Sequence, residues 1–123
     1  MDIYIERVLE LHKNPKNFGE IEDAEIKKTD YNPSCGDMIS IFVKLDKDKI
    51  KDAKFKGHGC AISTASASLL TEYIKGKKII NLLKIGQKEI FSLIGIDLSK
   101  NPSRIKCAIL PLTALKAGIK DIK

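Results

Sequence analysis

Apolar and polar positions alternate most clearly in MISIFVKLD, residues 38–46. Ile39, Ile41, Val43 and Leu45 fall on one face, and Met38, Ser40, Phe42 and Lys44 on the other. A period of two is that of a strand with one face buried. DKDK supplies a polar turn, and IKDAKFKGHG resumes the alternation, with Ala53, Phe55 and Gly57 opposite Lys54, Lys56 and His58. A further strand is expected from about residue 22 to 30. Three consecutive strands joined by short turns predict an antiparallel meander.

Elsewhere the period is helical. Ile5, Val8, Leu9 and His12 follow the i, i+3, i+4, i+7 rule over residues 2–12, and Pro15 and Gly19 break that segment. Ile62, Ala65, Ser66, Leu69, Leu70 and Tyr73 form a second stripe, for which Gly76 is a natural stop. KIINLLKIG and QKEIFSLIG predict short helices, each ended by Gly. Ala108, Leu112, Leu115 and Ile119 share one face of a last helix. Strands first and helices later predict an α+β domain, a three-stranded antiparallel sheet with helices packed on one face. At 123 residues, with no repeat, linker or low-complexity stretch, the chain is expected to be one domain, 1–123.

Charge narrows the function. The formal net charge is +6, but the lysines are interleaved with acids, and Arg occurs only at Arg7 and Arg104. Arg is the preferred residue for bidentate phosphate and base contacts. A solvated lysine coat is the better reading, and no nucleic-acid partner is expected. No apolar run approaches the roughly 18 residues of a membrane span, and MDIYIERVLELHK has early acids and no signal-peptide core. A cytoplasmic protein, with no membrane partner, is the expectation.

Candidate chemistry rests on three cysteines, an odd number that argues against a closed disulfide framework. Cys35 lies in NPSCGD, between two strands, where Gly36 permits a turn that aims Cys35 and Asp37 at one spot. Cys60 lies in GHGCAIS, directly before a helix. Cys107 lies in RIKCAILP. Pro111 is tolerated in a first helical turn, which places Cys107 at or near the start of the last helix. Helix N-termini favour thiolate over thiol, and Lys106 adds to this beside Cys107. His58 is an alternative ligand, although its strand face is shared with Lys54 and Lys56. His12 reads as structural, and Arg104 as orienting the last loop, neutralising the site or pairing at the surface. Ser63, Ser66 and Ser68 read as small helix-packing residues, because no His–acid pattern accompanies them.

NPSCGD, GHGCAISTASAS and RIKCAILPLTAL, with the opening YIERVLELHKNPKNFGEI, resemble the iron–sulfur cluster assembly scaffold family of IscU, SufU and NifU N-terminal domains. The resemblance implies Cys35, Cys60 and Cys107 as thiolate ligands and Asp37 as a fourth ligand or a modulator of release. It implies a transient [2Fe–2S] cluster built with sulfur from a cysteine desulfurase and passed to apo-proteins, with zinc able to occupy the same site. The implied activity is assembly, not enzymatic turnover. The alternative is a zinc-dependent sulfur-transfer partner of the desulfurase. Cys107 is the first choice as persulfide acceptor. A monomer or a cluster-bridged dimer is expected. Lys106 stands where the IscU branch has His, and KNPSRIK where it carries its chaperone-recognised segment. The 47 residues from Cys60 to Cys107 leave little room for the insertion typical of SufU.

Three soft thiolates and one hard carboxylate would make a site more easily exchanged than the four thiolates usual for a permanent cluster. The same four groups also suit a closed tetrahedral zinc site.

Overall fold

The structure is a computed structural model and describes residues 3–33 and 36–122, with Tyr4 described by its backbone alone. The elements run α1 (Ile3–Lys13), β1 (Ile26–Asn32), β2 (Asp37–Asp46), β3 (Lys49–His58), α2 (Ala61–Ile74), α3 (Ile79–Leu82), α4 (Gln87–Ile94) and α5 (Pro102–Asp121). The strands pair in sequence order, β1-β2-β3, antiparallel throughout, as the alternation predicts.

One face of the sheet is the core. Ile26, Ile39, Ile41, Val43, Ala53 and Phe55 are buried there, and α2 and α5 lie against it. Each fully buried Ile, Leu or Phe side chain contributes about 1.5–3 kcal/mol, so this face supplies much of the stability. The approach of α5 depends on Gly118, where an added Cβ would stand 2.5 Å from Ile26 Cγ2. α2 is central. Ten of its fourteen residues are buried, among them Ala65, Ala67, Ser63, Ser66, Ser68 and Thr71. Small side chains let the other helices and the sheet approach it closely.

The free edge of β3 is covered locally. Gly19 N–H donates to Phe55 O at 2.8 Å, and Phe55 N–H to Asn17 O at 2.9 Å. The Phe18 and Phe55 rings meet edge to face at 5.4 Å. Backbone groups that could template pairing with another chain are thereby used. Asn17 also donates from Nδ2 to Thr71 Oγ1, tying this segment to α2.

Several expectations shift. β1 begins at Ile26, not near residue 22, because residues 23–25 are held as a clasp: Lys44 Nζ donates to Asp23 O, and Leu45 N–H to Glu25 Oε1. In α1 the inward residues are Val8 and Leu11, while Ile5 and Leu9 are exposed. A helix packed mainly on one neighbour, α2, buries only a narrow stripe. Gly86 starts α4 instead of ending α3; its N–H donates to Glu89 Oε1 at 2.6 Å. Gly76, with φ of 83°, follows the end of α2 as expected.

The largest correction concerns the last helix. α5 begins at Pro102, capped by Asn101 Oδ1, which accepts from Arg104 N–H at 3.3 Å. Pro is favoured at this first helical position because its missing N–H has no intrahelical partner to lose. Pro111 therefore lies inside the helix, and Cys107 sits in the second turn, not at the helix start. Cys107 accordingly does not lie in the first turn of its own helix, where the end charge of α5 acts.

Candidate metal centre

The site forms where one end of the sheet meets α2 and α5. Asp37 opens β2, paired across the sheet with Asn32, and Gly36 N–H donates to Asn32 O at 2.9 Å to close the turn from β1. Gly36 has a φ of 72°, as the turn requires. Cys60 is the residue just before α2, with extended backbone angles, as expected from the sequence. Cys107 projects from α5, which is tied to α2 one residue further on by the Ser66 hydroxyl donating to Ala108 O.

Two glycines allow the β3-to-α2 passage. Gly57 has a φ of 142°, and a Cβ there would collide with the Met38 carbonyl of the neighbouring strand. A Cβ on Gly59 would stand 3.0 Å from Asp37 Cγ, 3.2 Å from its Oδ1 and 3.2 Å from Ser63 Cβ. Gly59 thus permits the carboxylate to dock on the start of α2.

The docking is specific. Cys60 N–H donates to Asp37 Oδ1 at 3.3 Å, and Ser63 Oγ donates to Asp37 Oδ2 at 2.6 Å. Cys60 Sγ lies 3.6 Å from Ser63 Oγ. A helix N-terminus carries about half a positive charge, so it favours an anionic group here. Asp37 and Cys107 are buried, at 3% and 4% exposure, and Cys60 is partly buried.

The donor atoms of Asp37, Cys60 and Cys107 all lie within 4.8 Å of one another. In a tetrahedral zinc–thiolate site with bonds of about 2.3 Å, ligand atoms stand about 3.8 Å apart. The observed upper bound of 4.8 Å is about an ångström above that spacing, and two sulfurs with a carboxylate are a donor set zinc and iron accept. Cys35 lies outside the described residues. His58 and His12 are not part of the cluster. Both are exposed and line a neighbouring groove of about 460 Å³ with Lys13, Phe18 and Thr64. The Arg104 side chain is exposed.

Sequence reasoning gave Ser63 a packing role and missed its hydrogen bond to Asp37. The signal was its position: three residues after the residue that starts a helix, a side chain can reach back to the helix end.

A three-stranded antiparallel meander that gathers cysteines and an aspartate at the edge of a helical layer defines an α+β domain with a candidate metal centre. The NifU-like N terminal domain family model matches residues 3–123, and the chain belongs to that family. It is 41% identical over 134 aligned positions to the zinc-dependent sulfurtransferase SufU of Bacillus subtilis (strain 168), covering 95% of this chain and 89% of SufU. It is 38% identical over 119 positions to the iron–sulfur cluster assembly scaffold protein IscU 1 of Archaeoglobus fulgidus, covering 97% of this chain and 76% of IscU 1. The crystal structure of the N-terminal part of a NifU-like protein from Brucella abortus superposes with a TM-score of 0.83 over 98% of this chain and 94% of that one; at 18% identity it shows the fold. Among the described residues no helix is long and apolar enough to cross a membrane.

Proposed function

We propose that this protein is a scaffold on which a [2Fe–2S] cluster is assembled transiently and from which it passes to apo-proteins, held by Cys35, Asp37, Cys60 and Cys107. The observation that carries the reading is the convergence of Asp37, Cys60 and Cys107 donor atoms within 4.8 Å, in a chain of the NifU-like N-terminal family. Cys35, two residues before Asp37, completes the donor set in this proposal.

Sulfur comes from a cysteine desulfurase persulfide. A thiolate of this chain attacks the terminal sulfur; the donor S–S bond breaks as a new one forms, and the donor cysteine leaves as thiolate. No net oxidation occurs, so no further reductant enters this step. Cys107 is the proposed first acceptor, with Lys106 exposed beside it to meet an anionic donor. Three thiolates and one carboxylate match four thiolates in charge and differ in softness, which favours hand-over.

A second reading is favoured by the SufU relative, whose name gives a zinc-dependent sulfurtransferase. In that reading zinc occupies the same residues, and the cysteines relay sulfur. The alignment with SufU spans 134 positions, more than the 123 of this chain, so SufU carries residues this chain lacks. The match to the IscU 1 scaffold runs over 119 positions for 97% of the chain. Relatives named as IscU scaffolds also align over 135 and 142 positions, so length does not separate the two readings and the reconstitution experiment does.

Anaerobic reconstitution with iron, cysteine and a desulfurase tests it. A scaffold acquires visible absorption and passes the cluster to an apo-ferredoxin. Zinc-loaded protein that stimulates desulfurase turnover, but never holds acid-labile sulfide, establishes the relay instead.

A further inference from the structure

Ser63 is wholly buried, and its hydroxyl lies between the two kinds of ligand in the site. Oγ stands 2.6 Å from Asp37 Oδ2, as donor, and 3.6 Å from Cys60 Sγ. We infer that Ser63 is a positioning residue for Asp37: its single hydroxyl proton fixes the carboxylate at the start of α2, in reach of the thiolates.

The hydroxyl has one proton to give, and the 2.6 Å separation assigns it to the carboxylate. Asp37 Oδ1 is held separately by Cys60 N–H. Each carboxylate oxygen thus keeps one anchor and at least one lone pair. Two anchors on different oxygens fix the plane of the group, so it can offer a ligand without swinging away. The two anchors differ in kind. The backbone anchor survives any substitution at position 60 except proline, whereas the Ser63 anchor depends on one hydroxyl. Carboxylates that ligate metals are held by such outer partners, whose loss typically costs 10–100-fold in metal affinity. A packing role alone would make Ser63 interchangeable with Ala, whereas this role makes its effect conditional on Asp37.

The inference rests on the metal-site reading proposed above, and the test separates the two. Wild type, Ser63→Ala, Asp37→Ala and the double variant are loaded with zinc chloride, and zinc release to a chromophoric chelator is timed. Release from S63A is expected about tenfold faster than from wild type, and unchanged by S63A once Asp37 is Ala. Cobalt(II)-loaded S63A is expected to show altered d–d bands relative to wild type. Equal acceleration in both backgrounds, no acceleration, or slower release overturns the positioning role. Should S63A fail to fold, Ser63→Thr and Ser63→Val, alike in shape, replace it: Thr must release slowly and Val fast, and equal rates overturn the role. A wild type that retains neither zinc nor a reconstituted cluster overturns the metal-site reading and this inference with it, and one that retains a cluster but no zinc overturns this inference alone. A zinc-retaining wild type that S63A matches overturns this inference alone.

Discussion

A carbon added to Gly59 would stand 3.0 Å from Asp37 Cγ, so the backbone before α2 and the carboxylate that opens β2 approach more closely than a side chain at position 59 comfortably allows. This contact joins the sheet to the helix start at the site itself. Gly59→Ala must therefore move Asp37 by a few tenths of an ångström or more. Zinc retention is expected to weaken about tenfold, because the carboxylate loses its place on α2. The apo-protein should melt lower by about 2–20 °C, since overpacking one contact costs about 1–3 kcal/mol. Chelator competition and thermal melting check the two halves. A G59A protein with unchanged zinc retention would show that the close approach is incidental.

Asp37→Ala has two separable consequences. The first is structural: the Cys60 N–H and the Ser63 hydroxyl lose their acceptor, and a donor left unsatisfied in a buried site costs about 1–3 kcal/mol. The second concerns hand-over. Removing the hard ligand leaves the soft ones, so a cluster still assembles but moves more slowly to an acceptor. Absorption spectra followed during assembly and during transfer to an apo-ferredoxin report each step. Unchanged transfer from an equally accessible cluster would remove the carboxylate from the release step.

For sulfur receipt, Cys107→Ser is expected to abolish persulfide formation on this chain by mass spectrometry, while Cys60→Ser retains it. Cys107 is 4% exposed, so the thiol must be reached through a local opening beside the exposed Lys106. Persulfide found only on Cys35 or Cys60 in the Cys107→Ser protein would reassign the acceptor.

The sheet and the site were legible in the sequence to different degrees, for physical reasons. Ile39, Ile41 and Val43 announce β2 because a half-buried strand leaves a period-two record. Cys60 at a helix start is legible because two glycines precede an unbroken run of small and apolar residues. The start of α5 was misplaced because two prolines compete for the same signal. Pro102 occupies the favoured first position, while Pro111, buried one turn after Cys107, interrupts the helix interior that tertiary packing holds together. The start of β1 was also misplaced, since Lys44 binds residues 23 and 25 from another strand and no local pattern records that. Ser63 reads as packing because a buried serine and a serine bonded to a carboxylate look alike until Asp37, 26 residues away, is placed beside it.

Gly118→Ala separates fold stability from site chemistry. The added methyl would meet Ile26 Cγ2 at 2.5 Å and Lys28 Cβ at 3.3 Å, at the opposite end of α5 from Cys107. Ile26 is 1% exposed and branched at Cβ, so it has little freedom to turn aside. The helix must lift from β1 or the side chain must leave its preferred rotamer, at a cost of about 1–3 kcal/mol. For a chain of this size that corresponds to a melting point lower by about 2–20 °C. Asp37, Cys60 and Ser63 make none of their contacts through this point, so zinc release measured well below the melting transition should match wild type. A protein that loses both stability and zinc retention would mean that the seating of α5 on β1 also sets the position of Cys107. The site would then depend on the register of the whole helix against the sheet, and not on local anchors alone.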